Sequence, residues 1–140
     1  MRRVWIAALA TAAAVFAGPA VAGDPTGLWQ TPTRNGQVEI SKCGNALCGR
    51  LVSSDGIRAD PGLKDVHNQN TGLRDRQLKG LTILTGFSGG PNEWTGGKIY
   101  NAEDGKTYSG SITLDGDSKL SLRGCVIAPL CKTQVWTRLR

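Results

Sequence analysis

Most of the chain after Gly23 alternates between apolar and polar positions with a period of two. The clearest case runs from Lys106 to Leu114, where Tyr108, Ile112 and Leu114 share one face and threonines and serines occupy the other. Such alternation indicates a half-buried β-strand. Applied along the chain, the pattern predicts eight short strands, at 27–31, 37–42, 48–53, 81–87, 94–100, 106–114, 120–123 and 133–139.

Tight turns separate most of these strands. Gly89-Gly90-Pro91-Asn92 and Asp115-Gly116-Asp117 are rich in turn-forming residues, and Asp104-Gly105 is a strong hairpin signal. Sequential hairpins with one polar face are typical of a closed up-and-down antiparallel β-barrel, which leaves no exposed sheet edge. We therefore predict an all-β fold of this kind, with a β-sandwich as the alternative.

One long connection, from about Ser54 to Gly80, interrupts the rhythm of strands. Connections of this length within a small domain are often functional or contain structure of their own. The pattern predicts a short helix over Leu73 to Lys79, capped by Thr71 and ended by Gly80. A helix of two turns needs to pack on the barrel to be stable.

The N-terminal residues have the order of a secretory signal peptide. Arg2 and Arg3 precede an uncharged apolar run from Val4 to Phe16, and Ala20-Val21-Ala22 offers a cleavage site. The run is short for a membrane span, which needs about 20 residues, although an uncleaved anchor is the alternative. We expect residues 1–22 to be removed, residues 23–140 to form one domain without a membrane-spanning segment, and the protein to be periplasmic or secreted.

All four cysteines lie in the predicted mature domain. Because exported proteins meet an oxidising compartment, an even number of cysteines suggests disulfides. Each of two short loops is flanked by a pair of cysteines, which favours local bonds Cys43–Cys48 and Cys125–Cys131. A four-cysteine metal site is the alternative, although the spacing is not that of common zinc sites.

Charge and motifs exclude several classes of function. The formal net charge of +6 falls to a mild positive value without Arg2 and Arg3, and the remaining basic residues are dispersed, which argues against nucleic-acid binding. Ser88 lies in a G-x-S-x-G pattern, but Pro91 follows it and His67 precedes it, against the hydrolase order. We expect no catalytic residue, no metal and no cofactor.

The long connection also contains several cations among its aspartates. A mixed solvated surface explains most of them. The sharper interpretation is that Arg74 or Arg76 turns inward at the barrel mouth and holds an anionic head group, since the planar guanidinium donates two hydrogen bonds at once.

Motifs along nearly the whole mature chain resemble a family of small exported bacterial proteins, domain of unknown function 2147. The matching segments are 24–29, 43–52, 73–76, 80–84, 97–108 and 134–138, of which 97–108 is the most specific. The resemblance implies a lipocalin-like (calycin) barrel outside the cytoplasm, with no assigned biochemical activity. It also implies that Trp29 packs under Arg138 and closes the base of the barrel through a cation–π contact.

These observations lead to three hypotheses. The first is a barrel that binds a small, partly apolar ligand inside or at its mouth, since an eight-stranded barrel can hold one small molecule. The second is a side-chain-filled barrel that acts as a protein-binding module of the cell envelope, and the third is an enzyme. For the first, alternation predicts the lining residues Trp94, Tyr100, Tyr108, Ile112, Leu120 and Leu122, with Trp94 and Tyr100 near a mouth.

Overall fold

The computed structural model describes residues 10–13, 23–127 and 129–140. The predicted signal peptide lies outside these ranges except for residues 10–13, so cleavage after Ala22 stays a prediction. Within the described ranges, no helix is long and apolar enough to cross a membrane.

Eight antiparallel strands form one closed barrel. Each strand pairs with its neighbours in sequence, and the last strand returns to the first through the register pairs Trp29↔Arg138 and Gln30↔Thr137. The predicted up-and-down barrel is therefore confirmed, and the sandwich is excluded. The strands are β1 (Gly27–Gln30), β2 (Gln37–Cys43), β3 (Ala46–Ser53), β4 (Thr82–Gly89), β5 (Glu93–Asn101), β6 (Lys106–Asp115), β7 (Lys119–Ile127) and β8 (Leu130–Arg138).

This topology places successive connections at opposite ends of the barrel. One end, here called the base, has the start of β1, the end of β8 and the β2–β3, β4–β5 and β6–β7 turns. The other end, the mouth, has the β1–β2, β5–β6 and β7–β8 turns and the connection between β3 and β4. We call this connection, residues 54–81, the mouth loop.

Inward-facing side chains form a single apolar core. Ile112, Leu120 and Leu122, which alternation placed on the inner face, are all buried there. Their burial follows from the period of two, because every second side chain of a strand points to the same side. The buried members of the core are Trp29, Val38, Ile40, Leu47, Leu84, Phe87, Trp94, Ile112, Leu114, Leu120, Leu122 and Trp136.

Large side chains occupy the space beside inward-facing glycines. A Cβ atom at Gly97 would overlap the ring of Phe87, and one at Gly110 would overlap the end of Ile99. Interlocking of large and small residues gives protein interiors their high packing density. The centre of the barrel is therefore filled with side chains.

Two disulfides close hairpins at opposite ends of the barrel. Cys43–Cys48 joins β2 to β3 at the base, and Cys125–Cys131 joins β7 to β8 at the mouth, with Cα–Cα distances of 5.8 and 4.0 Å. Both favoured local pairings are present, and no cysteine is left free for a four-cysteine metal site. In the described part of the chain, no cluster of three or more His, Cys, Asp or Glu residues is placed to hold a metal ion.

The mouth loop contains a short helix, but at a different place from the one predicted. Helix α1 (Asp55–Ala59) begins where the Ser54 side chain accepts a hydrogen bond from the Ile57 amide, and Ile57 is buried. Later in the loop there is only a 3-10 turn, Thr71–Leu73, capped by Asn70. Residues 73–79 do not form a helix, because Gln77 instead pairs with Lys64 in an isolated β-bridge. Tertiary pairing thus outweighs a weak local helical tendency.

Candidate functional site at the barrel mouth

Turns from opposite walls of the barrel meet across the mouth. Arg34 in the β1–β2 turn forms an ion pair with Glu103 in the β5–β6 turn, with 3.1 Å between Nε and Oε1. Helix α1 joins the same β1–β2 turn, where the Asp55 amide donates to the Arg34 carbonyl at 2.9 Å. The exposed ion pair adds little stability, but it shows that the two turns come within reach of each other's side chains.

The mouth loop packs directly against the β5–β6 turn at Gly105. This residue has a φ of +70°, and a Cβ atom there would overlap the carbonyl oxygen of His67. Glycine meets both requirements because it has no side chain and adopts positive φ without strain. The Asp104-Gly105 pair therefore turns the hairpin and also admits the backbone of the loop.

Beside this contact, a buried carboxylate organises the loop. The Asp65 side chain is 0% exposed. It accepts hydrogen bonds from the Tyr100 hydroxyl at 2.5 Å, from Arg76 Nε at 2.9 Å and from Asn68 Nδ2 at 2.9 Å. Burial of a carboxylate is tolerated when it is paired and hydrogen-bonded in this way. We call these four residues the Asp65 cluster.

The Asp65 cluster shifts the titration of both acidic members. Burial acts to raise the pKa of Asp65, but the hydrogen bonds from Asn68, Tyr100 and Arg76 and the charge of Arg76 outweigh it, and the pKa lies below its usual range. Burial and the hydrogen bond to Asp65 raise the pKa of Tyr100 to about 12. At neutral pH the cluster therefore consists of a carboxylate, a guanidinium, a neutral phenol and the amide of Asn68.

Arg74 and Arg76 are both fixed to this cluster through Nε. Arg74 donates to the Asn68 carbonyl at 2.8 Å, and Arg76 donates to Asp65. Arg76 also lies over the Tyr100 ring, with Cζ 5.2 Å from the centroid. Because these bonds use Nε, the terminal Nη groups remain for an outside acceptor. Arg76 turns towards the buried Asp65 and not into the barrel opening, which corrects the expected inward orientation.

The cluster lies on the outer side of the rim. Ile99 pairs with Tyr108, which has the same parity on β6 as the buried Ile112, whereas Tyr100 pairs with Thr107. Since successive side chains of a strand point to opposite faces, the Tyr100 side chain leaves the wall outwards. Tyr108 is half-buried on the inner side near the mouth, where its hydroxyl donates to Asp104.

The remaining predicted lining residues lie elsewhere. Trp94 is buried at the base end of β5, where it pairs with Ile112, and is about 20 Å along the strand from Tyr100. The expectation that Trp94 and Tyr100 share a mouth is therefore wrong, since they stand at opposite ends of one strand. Ile112, Leu120 and Leu122, which were expected to line the interior of the barrel, are buried members of its apolar core.

At the base, Arg138 lies over Trp29, as the lipocalin resemblance implies. Its Cζ atom is 4.4 Å from the centroid of the Trp29 ring. The guanidinium donates to the carbonyls of Asp117, Thr26 and Asp24. These bonds join the segment before β1 to the β6–β7 turn and to the end of β8.

Sequence reasoning missed Asp65 and Asn68. Both sit in a polar stretch that resembles an ordinary surface loop, with no periodicity to indicate burial. Their main partner outside the loop, Tyr100, is 35 residues away from Asp65. The only local signal is the side-chain acceptor at Asn68, which bonds the Asn70 amide in a turn.

Comparison with known proteins places this barrel in a family. No curated protein matches the chain. Among solved structures, it is similar to protein HP1028 from Helicobacter pylori, described as belonging to the lipocalin family, with 26% identity, a TM-score of 0.76 and 84% of each chain covered. The family model for uncharacterized proteins conserved in bacteria (DUF2147) matches residues 27–138, which run from the start of β1 to the end of β8. The chain therefore belongs to this family.

Proposed function

We propose that the protein is an exported, non-enzymatic binding protein that holds a small, partly apolar ligand with an anionic head group at the rim of its mouth. Its lipocalin-like barrel supports the binding of a small molecule. The two disulfides support export, because disulfides persist in oxidising compartments. The order of the N-terminal residues, which resembles that of a secretory signal peptide, agrees with it. The filled centre of the barrel directs the ligand to the rim.

The observation that carries this proposal is the shared anchoring of Arg74 and Arg76. Both guanidinium groups are held through Nε on the Asp65 cluster, and their Nη groups make no hydrogen bond within the described residues. Two parallel N–H donors on a rigid plane match a carboxylate or phosphate. Because the side chains are already ordered, less conformational entropy is lost when an anion binds.

Two exposed apolar side chains of the same loop suit the other part of the ligand. Val66 follows Asp65, Leu73 precedes Arg74, and both are exposed although they are large and hydrophobic. A short alkyl chain or ring lying across them would be removed from water, which contributes about 25 cal/mol for each Å² of apolar surface buried.

Native mass spectrometry of the protein purified from periplasm provides the first test. We expect extra mass that disappears on denaturation, and this mass identifies the ligand. Titration with dodecyl phosphate, and with dodecanol as the uncharged control, then tests the head group. We expect tighter binding of the phosphate by at least tenfold, because two charge-assisted hydrogen bonds together contribute several kcal/mol.

A matched pair of variants tests the residues. Arg74→Gln removes a fixed guanidinium, whereas Lys79→Gln removes the same charge from an exposed position in the same loop. The proposal predicts that only Arg74→Gln weakens binding of dodecyl phosphate. Equal affinities of the two variants, or equal binding of dodecanol, would remove the arginines from the site.

A protein-binding module of the envelope is the second candidate function. The filled centre favours it, because a barrel whose core is packed with side chains resembles a scaffold that presents loops. A clean apo mass from periplasm together with no binding of dodecyl phosphate would move the assignment to this candidate.

A further inference from the structure

The β7–β8 hairpin ends in an apolar tip at the mouth of the barrel. Val126, Ile127 and Leu130 are 65, 73 and 71% exposed, and the Cys125–Cys131 bond crosses the hairpin directly below them. The other disulfide-closed hairpin has the polar turn Gly44-Asn45. Turns are normally polar because their backbone groups face water, so large apolar side chains at a tip are unusual. We call these three residues the apolar tip.

A cationic groove adjoins the apolar tip on the outer wall. Ser109, Gly110, Ser111, Arg123, Cys125 and Val126 line a cleft of about 360 Å³. Lys98 reaches its edge, where Nζ donates to the Ser109 hydroxyl at 2.8 Å. The groove thus combines two cations with two hydroxyl groups, which are donors suited to a phosphate. Val126 belongs to both surfaces, so the groove and the tip are continuous.

All the charged side chains of the β7–β8 hairpin are basic. Residues 118–140 include no Asp or Glu, and Arg123 stands on the outer face of β7 just below the tip. Lys132 on β8, which pairs with Gly124, faces the inner side of the same hairpin. The carboxylates of the neighbouring β5–β6 turn are already engaged, since Glu103 pairs with Arg34 and Asp104 accepts a hydrogen bond from Tyr108. An anionic surface that approaches the tip therefore meets cations without an opposing carboxylate on the hairpin.

From this combination we propose that the apolar tip and the cationic groove dock the protein on a bilayer of anionic phospholipid. The tip would insert among the lipids at the headgroup boundary while Arg123 and Lys98 contact phosphates. Interfacial binding of this kind scales with buried apolar area and with attraction to anionic lipids. The surface is separate from Arg74 and Arg76, so it goes beyond the proposed ligand site.

The shape of the tip favours a bilayer over a protein partner. A stable protein interface buries about 800 Å² on each side and is made by closely matching surfaces. Three side chains at a convex hairpin end are small for such an area. A bilayer needs no matching pocket, because its lipids move apart around the inserted side chains.

Flotation with vesicles tests the proposal on the purified, disulfide-bonded protein. We expect the protein to float with phosphatidylglycerol vesicles and not with phosphatidylcholine vesicles, and added salt to weaken binding by screening. The double variant Ile127→Ser, Leu130→Ser should bind about tenfold more weakly, because two apolar side chains no longer enter the lipid. Val135→Ser is its control, since Val135 is 51% exposed on the same hairpin but outside the tip.

Charge variants test the groove in the same assay. Arg123→Gln should weaken binding to phosphatidylglycerol about fivefold, because each Lys or Arg near an anionic membrane contributes about 1 kcal/mol. Lys119→Gln, which removes the same charge from the base end of the same strand, should bind as wild type. An unchanged circular dichroism spectrum of each variant shows that it is folded.

Three results would overturn the proposal. The first is absence of flotation with phosphatidylglycerol. The second is binding of soluble glycerol phosphate at Arg123 without any binding to vesicles, which assigns the groove to a free anion. The third is concentration-dependent dimerisation that Ile127→Ser abolishes without vesicle binding, which assigns the tip to a second copy of the chain. Each of these results can be obtained whether or not Arg74 and Arg76 bind a ligand, so the two proposals are tested separately.

Discussion

Both ends of the barrel place an arginine over an aromatic ring, but the two contacts differ in what holds the arginine. At the base, Arg138 lies over Trp29 and donates to backbone carbonyls. At the mouth, Arg76 lies over Tyr100 and donates to the buried carboxylate of Asp65. Carbonyls do not titrate, and those at the base belong to segments next to strands. The carboxylate of Asp65 belongs to the 28-residue mouth loop (54–81), and its hydrogen bonds hold this loop against the barrel.

Because of this difference, we expect the base to be more stable than the mouth loop, and the mouth loop to open more easily. Trp29 is a buried member of the main core, so the base is part of the cooperative unit of the barrel. The Asp65 cluster instead attaches a loop to the outer rim, where local opening costs less free energy than global unfolding. Binding surfaces are typically drawn from such less stable regions, which agrees with the positions of Arg74 and Arg76.

The largest effect is expected from Trp29→Ala at the base. Loss of a buried tryptophan leaves a cavity and removes the platform under Arg138, which together should lower the free energy of unfolding by about 3–5 kcal/mol. Urea denaturation followed by circular dichroism measures the change. A loss below about 1 kcal/mol would show that Arg138 and its carbonyl partners close the base without the ring.

At the mouth, Asp65→Ala should have a smaller and more local effect. The change leaves Tyr100, Arg76 and Asn68 without their shared acceptor, which should cost about 2–3 kcal/mol. Hydrogen exchange should show faster exchange in residues 65–77 while the core strands stay protected. Asp75→Ala is the control, because the Asp75 side chain is 96% exposed and its ion pair with Lys64 is long, at 4.0 Å. Uniformly faster exchange throughout the barrel would contradict a local role for Asp65.

Acid should lower the stability of the mouth loop more than that of the base. The folded-state pKa of Asp65 is lowered, so its ionised form stabilises the loop fully above the unfolded value of about 3.9. This contribution is lost as the pH falls from that value through the lowered pKa. The stability difference between wild type and Asp65→Asn should therefore narrow from pH 7 to pH 3.

The matching measurement uses Trp29→Ala over the same range of pH. Its difference from wild type should stay nearly constant, because Arg138 donates to carbonyls in this contact and its charge is the smallest of the causes that lower the pKa of Asp24. A difference for Asp65→Asn that is equally constant would mean that the carboxylate does not stabilise the loop through its charge.

The smallest effect is expected from Tyr100→Phe, which keeps the ring under Arg76 and removes one hydrogen bond. We expect a loss of about 1 kcal/mol, measured by urea denaturation. Spectrophotometric titration gives an independent reading, because the tyrosine that ionises near pH 12 should disappear in this variant. The hydrogen bond to Asp104 also raises the pKa of Tyr108, so Tyr108→Phe is the control. If the transition near pH 12 disappears in Tyr108→Phe and stays in Tyr100→Phe, the Asp65 cluster does not set the pKa of Tyr100.

Local patterns were enough to predict the barrel wall. The period of two places Ile112, Leu114, Leu120 and Leu122 on one face, and all four are buried. Short loops between cysteines were enough to favour both disulfides, because a tight hairpin brings its flanking residues within bonding distance. In each case the relevant residues are close in sequence, so their geometry follows from one strand or one turn.

The position of a residue along the barrel axis was harder to predict. Alternation predicts which face of the sheet a side chain points to, but it does not predict which end of the barrel the residue lies at. Trp94 and Tyr100 were therefore expected at one mouth, although they lie at opposite ends of β5. The helix was misplaced for a related reason, since the pairing of Lys64 with Gln77 competes with local helical preference.

The strands, the inner face, the hairpin disulfides and the family of the chain could all be predicted from the residues, because each depends on near neighbours in sequence or on extended similarity. The filled centre and the burial of Asp65 became visible only in the folded barrel. So did the arginines fixed at the rim and the cationic groove that meets the apolar tip. These features depend on contacts such as Tyr100 with Asp65, 35 residues apart. Closure of the barrel creates such contacts, and no local pattern encodes them.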